Sequence, residues 1–235
     1  MAILHWLLCP PARSMVDAPV NISDTILRAR LQDVYWITGG ACSGKTTVTE
    51  LLAKKHGLAV FPDRVSEYQA AADLDEFPQL RDPSPETDWE WFFNRPIDEY
   101  VKWLQDVNSA LLQFILVDLL SGNLPRPIVV EQFTNPAETA AIAAHASVVS
   151  MYTTEDLLRA ELLNRADHRM ILDCIKANTS NPSAAEANVI NASLEAARRS
   201  LALAESAGCK IIYRTKDTRP EDLLLQVEVH FGLSS

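Results

Sequence analysis

Apolar positions along the chain change their period several times, and each change marks an element. Residues 33–38 (DVYWIT) are a short β-branched and aromatic run that reads as a strand. Over residues 44–55 the apolar positions recur at helical spacing, and Gly57 supplies a stop. Residues 58–61 read as a second strand closed by Pro62. A long polar and aromatic stretch follows, then a helical pattern over residues 97–120 that ends at Ser121 and Gly122. Residues 127–131 (PIVVE) read as strand three, NPAETAAIAAHA as an alanine-rich helix, and residues 147–151 as strand four. Thr154 is placed to cap a helix running through EDLLRAELLNRADHR. Residues 182–207 form another alanine-rich helix stopped by Gly208, residues 210–213 a fifth strand, and a last helix starts near Pro220. A short helix over residues 24–31 precedes them all.

Short apolar strands alternating with helices imply an α/β fold. The expectation is a doubly wound, five-stranded parallel sheet with helices on both faces, because right-handed crossovers leave few other arrangements. In such sheets a ligand sits beyond the carboxyl ends of the strands. The loop before Lys45, Asp63, Glu131 and the loop after Tyr213 all fall there.

Composition narrows the partners. The chain has 235 residues and a net charge of −10, with 48% hydrophobic and 22% charged residues. That is ample for one domain with a core. The acidic balance argues against nucleic acid or an anionic membrane surface as partner, since both call for basic patches. Cys9, Cys42, Cys174 and Cys209 lie far apart, with neither metal-ligand nor disulfide-framework spacing, so a reducing cytoplasm is the expected compartment. The five histidines give no zinc pattern. Residues 1–20 carry an apolar segment too short to span a bilayer and then three prolines. They read as a flexible tail, with Met15 as an alternative start; residues 21–235 are the domain.

The chemistry lies where strand one meets the first long helix. GGACSGKT, from Gly39 to Thr46, fits G-x-x-x-x-G-K-[ST] in a strand-to-helix context. Small residues (Gly39, Gly40, Ala41, Cys42, Ser43, Gly44) let backbone N–H groups converge on phosphate oxygens, and the helix N-terminus through Thr47 adds partial positive charge. Lys45 can reach the outer phosphates of a nucleotide, and Thr46 can offer a hydroxyl to Mg²⁺.

The loop, the strand pattern, VVSMYTTEDLLRAELLNRADHR after strand four and TKDTRPEDLLLQV near the end resemble the P-loop small-molecule kinases, among them the shikimate, nucleoside, nucleotide and chloramphenicol kinases. The similarity covers residues 33–232, and the loop is its specific part. It implies a P-loop NTPase fold and transfer of the ATP γ-phosphate to a small-molecule hydroxyl, with ATP and Mg²⁺ required. It also implies roles. Glu131 would act on the metal, although it stands where the family usually carries Asp. Asp63 would be the base, with Glu67 in reserve. Arg165 and Arg169, one helical turn apart, would belong with Arg159 to a lid over residues 159–181. Residues 62–100 would form a flap over the acceptor. That flap holds eleven acids against three arginines, a balance of −8, together with several aromatic residues. It therefore suits an amine-bearing acceptor. The competing reading is a regulatory or assembly ATPase, which would want an Asp-Glu pair closing strand three or a switch Asp-x-x-Gly; neither occurs.

Overall fold

The structure is a computed structural model describing residues 22–81, 87–131, 134–165 and 168–234. The expected tail and Met15 lie outside the described residues. Five strands, β1 (Val34–Gly39), β2 (Ala59–Val60), β3 (Ile128–Glu131), β4 (Val148–Thr153) and β5 (Lys210–Arg214), form one sheet in the order β2-β3-β1-β4-β5. Every neighbouring pair is parallel, with Trp36 opposite Val130 on one side and Val148 on the other. The expected sheet is therefore present, with β1 at its centre.

Among the described residues ten α-helices connect and flank the strands: α1 (Asp24–Arg30), α2 (Lys45–His56), α3 (Val65–Ala71), α4 (Trp89–Asn94), α5 (Ile97–Leu120), α6 (Pro136–Ile142), α7 (Glu155–Glu161), α8 (Arg169–Asn178), α9 (Pro182–Ser206) and α10 (Pro220–Phe231). Side chains alternate across the strands and so define two cores. Val34, Trp36, Ile128 and Val130 pack with α1, α5 and α6. Ile37, Val129, Val149 and Met151 pack with α2 and α10. A third cluster joins α4, α5, α7, α8 and α9 and reaches Ala41 and Cys42.

Two expectations fail locally. Thr154 occupies the N-cap of α7, but its side chain makes no capping hydrogen bond. The long helix drawn through residues 155–169 breaks: α7 ends at Glu161, and α8 starts only at Arg169. Leu162 and Leu163, both buried in the third cluster, turn the chain inward at the break. Arg165 and Arg169 therefore do not share one helix face.

On the α2–α10 side, Glu228 is 2% exposed and accepts hydrogen bonds from Lys55 (2.9 Å) and His56 (2.6 Å). Burial alone would raise its carboxyl, but those two partners outweigh it and hold the pKa below the ordinary value of 4.5. A depressed folded-state pKa contributes stability above the unfolded value and loses it as pH falls through the folded one. Glu228→Gln should cost about 2 kcal/mol near neutrality. The difference from wild type should shrink as pH falls below about 4.5. Urea unfolding of both proteins across pH 3–7 checks this, and a pH-independent difference would refute the ion-pair account.

Candidate functional site

The turn from β1 into α2 is built under tight steric limits. Gly39 has φ +119°, and a Cβ there would lie 2.0 Å from the Met151 carbonyl oxygen, so only glycine fits. Gly44 takes a left-handed conformation (φ 87°) at the N-cap of α2. Cys42 is left-handed too, with φ 57°, which is costly for a residue with a side chain. Its thiol is buried in the third cluster, and burial raises its pKa. Two contacts help hold the strained turn. Ser43 Oγ donates to the Gly40 carbonyl at 2.9 Å, and Arg214 Nη1 donates to the Cys42 carbonyl at 2.6 Å.

Lys45 opens α2 with its side chain folded back over this loop. It is 5% exposed, and Nζ donates to the Gly40 carbonyl at 2.6 Å. Burial lowers its pKa to about 8, opposed by Glu131 and Cys42 and reinforced by Arg165. Glu131, at the end of β3, shows the complementary effect. Burial raises its carboxyl, while Lys45 and a hydrogen bond from the Thr46 side chain pull it down. Two unlike charges are thus kept half-desolvated beside one another.

These groups line a cavity of about 760 Å³ beyond the carboxyl ends of the strands. Its floor is the loop from Ala41 to Thr47. Glu131 comes from β3, Val60 and Asp63 from the end of β2, Arg165 and His168 from the segment after α7, Arg214 and Thr218 from β5 and its connection to α10, and Leu223 from α10 itself. Asp63 is exposed, and its Oδ1 accepts from the Val65 N–H at 3.2 Å, shaping the start of α3. Arg165 lies near enough to act on the Cys42 thiol and on the charges of Lys45 and Glu131.

Other expected participants lie elsewhere. Arg169 is exposed and does not line the cavity. Arg159 is held by Glu155 (2.8 Å) and Asn191 (3.0 Å) beside a different cleft. Glu67 is exposed and gripped by Arg64, which also reaches Asp118 at 2.8 Å. Among the described acids of residues 62–100, Asp63 alone lines the cavity. Three of the others are engaged locally: Asp88 caps α4, Glu90 accepts from Ser180 N–H at 2.6 Å, and Asp98 pairs with Arg199. Gln132, Asp82 and Glu86 lie outside the described residues.

Arg214 and Glu161 escaped the sequence reading. Arg214 Nη1 and Nη2 reach the two Glu161 oxygens at 2.6 and 2.8 Å, so one guanidinium ties the strained loop to the end of α7. A basic residue at the carboxyl end of a strand was the available signal. Among the described residues no group of three His, Cys, Asp or Glu side chains gathers as a metal site, and no helix is long and apolar enough to cross a membrane.

No family model matches the chain, and no curated protein matches it. Among solved structures it is similar to a shikimate kinase from Acinetobacter baumannii in complex with shikimate. That likeness has 15% identity and a TM-score of 0.41, and covers 89% of this chain and 97% of that one. It assigns no role to any residue.

Lys45 must be charged to hold a phosphate. Since its pKa in the free protein is about 8, ADP affinity should be flat below that pH and fall above it, by roughly tenfold per unit at most. Titration calorimetry from pH 7 to 9.5 should show this fall in wild type and not in Lys45→Arg, whose guanidinium stays charged. A flat wild-type profile would contradict the assignment.

Proposed function

We propose that this chain is an ATP-dependent phosphotransferase that moves the γ-phosphate to a hydroxyl of a small-molecule acceptor. One observation carries the reading. A buried lysine with a lowered pKa, set in a strained glycine loop at a helix N-terminus, shares one cavity with Glu131, Asp63 and Arg165. Phosphoryl transfer consists mostly of positioning and charge neutralisation, and this is a set of groups suited to both.

In this reading the N–H groups from Ala41 to Thr47 cradle the phosphates, that of Gly40 being bonded to the Met151 carbonyl at 2.9 Å, and Lys45 leaves the Gly40 carbonyl to meet the outer ones. Thr46 and Glu131, whose side chains interact, fit Mg²⁺, which is usually bound through one or two protein oxygens together with substrate phosphates. When bound, the ion neutralises charge on the transferring group. Asp63 accepts the acceptor's proton. It lines the cavity and is exposed, so an acceptor entering from solvent can reach it. Arg165 places a second cation on the phosphates, and residues 159–181 close as a lid; Arg169 reaches the site only by such closure. An amine-bearing acceptor would be met within the cavity by Asp63 and Glu131. The acidity of the flap as a whole lends that choice little support, because its other described acids point elsewhere.

A second reading has one observation in its favour. Glu131, with its carboxyl raised by burial beside Lys45, is placed to orient a water and make the chain an ATPase. Asp63→Asn separates the two. A transferase should lose roughly 10²–10⁴ of its rate, the span of general base catalysis, with ATP affinity kept within a few-fold. A hydrolase should be unaffected. The readout is ATP consumption and phosphorylated product over a metabolite panel, followed by mass spectrometry. If no acceptor raises turnover above the basal rate, and Glu131→Gln abolishes that rate, the hydrolase reading replaces ours.

Lid closure has its own test. Amide hydrogen exchange over residues 159–181 should slow when an ATP analogue and Mg²⁺ saturate the site. Unchanged protection would remove the lid from the account.

A further inference from the structure

Arg95 stands at the corner between α4 and α5 and is only 5% exposed. Its guanidinium carbon lies 4.3 Å from the ring centre of Tyr100, 4.4 Å from that of Phe92, 4.5 Å from that of Trp103 and 5.6 Å from that of Trp91. Asn188 on α9 fixes the backbone beneath it, donating to the carbonyls of Phe93 (2.9 Å) and Arg95 (3.0 Å). A permanent cation is thus held rigidly in an aromatic box. Ring faces attract it, yet they cannot replace hydrogen bonds lost from water.

The bonding of this guanidinium is incomplete. Tyr100 engages it, and the exposed Glu99 acts on it through space. Nε and Nη2 are shut off from solvent and have no hydrogen-bond partner among the described residues. Those two nitrogens form the side-on edge of an arginine, which matches two oxygens of a carboxylate or phosphate. Four other arginines of this chain use that same edge on a carboxylate: Arg64 on Glu67, Arg159 on Glu155, Arg198 on Glu195 and Arg219 on Asp222. Arg95 presents the edge without the acid.

We propose that the Nε–Nη2 edge of Arg95 is a binding site for a small oxyanion, the carboxylate or phosphate group of a ligand, entered past Trp91. Trp91 is the door because its ring is the outermost of the four and the residue is 52% exposed. Phe92, Tyr100 and Trp103 are the walls. Buried donors left without partners are costly, and an oxyanion on this edge supplies both missing acceptors and the missing charge. The site is independent of the proposed phosphate transfer and would stand if that reading failed.

The test uses inorganic phosphate and malonate as probes, with chloride at matched ionic strength as control. The Arg95 Nε–H resonance, assigned through its own backbone, should shift saturably with phosphate, malonate or both, and not with chloride. A response to phosphate alone identifies a phosphoryl group as the ligand; a response to malonate alone identifies a carboxylate. Phosphate also meets the loop at Lys45, so the titration is repeated in Lys45→Ala, where the shift should persist. Anion binding beside Trp91 and Trp103 should also change the wild-type tryptophan fluorescence, and Arg95→Lys, which keeps the charge and loses the fork, should weaken that response at least about tenfold. Should that variant not fold, the wild-type resonance decides alone. No shift with either anion, an equal shift with chloride, or an undiminished fluorescence response in a folded Arg95→Lys protein would overturn the site.

Discussion

A positive charge buried against a backbone carbonyl organises this molecule. Lys45 Nζ rests on the Gly40 oxygen with little water around it, and burial has already weakened its hold on its proton. A cation in that state gains from a phosphate, which replaces the Gly40 carbonyl with an ionised acceptor. The strained residues around it make sense as the cost of this arrangement. Gly39 is pressed against Met151, and Cys42 takes a left-handed turn, so that the chain turns sharply from β1 into α2 around that lysine.

The sheet delivers the partners of that charge. β3 lies beside β1, which brings Glu131 level with Ile37 and within reach of Lys45. β4 lies on the other side, and the chain leaving it through α7 carries Glu161 and Arg165 back over the loop. β5 ends in Arg214, which braces Cys42 and Glu161 together. With Val60 and Asp63 from the end of β2, the mouth is therefore assembled from all five strand ends of the sheet, which are distant in sequence. Parallel pairing gathers them because it points every strand end the same way.

Much of this was legible in the residues. The short apolar, β-branched runs VYWIT and PIVVE predicted β1 and β3, and the helical spacing of residues 97–120 predicted the 24-residue α5 with its observed limits. The glycine pattern marked the loop. What escaped were features decided by packing between elements. Helical spacing continues through residues 162–165, yet Leu162 and Leu163 are buried against the third cluster, and the helix ends before them. That local override separated Arg165 from Arg169. Likewise, the charge of residues 62–100 suggested one acidic wall, but capping and ion pairing disperse those acids around α4 and α9. Arg214 had a visible position and no visible partner, because Cys42 and Glu161 are remote in the chain.

The central claim is that the loop closes on nucleotide phosphates through Lys45. A crystal structure with a non-hydrolysable ATP analogue and Mg²⁺ tests it most directly. The account predicts that Lys45 Nζ leaves the Gly40 carbonyl and bonds the outer phosphates, with the ion on the Thr46 side of the cavity and Asp63 facing the γ-phosphate. A nucleotide bound elsewhere, with Lys45 still seated on Gly40, would contradict it.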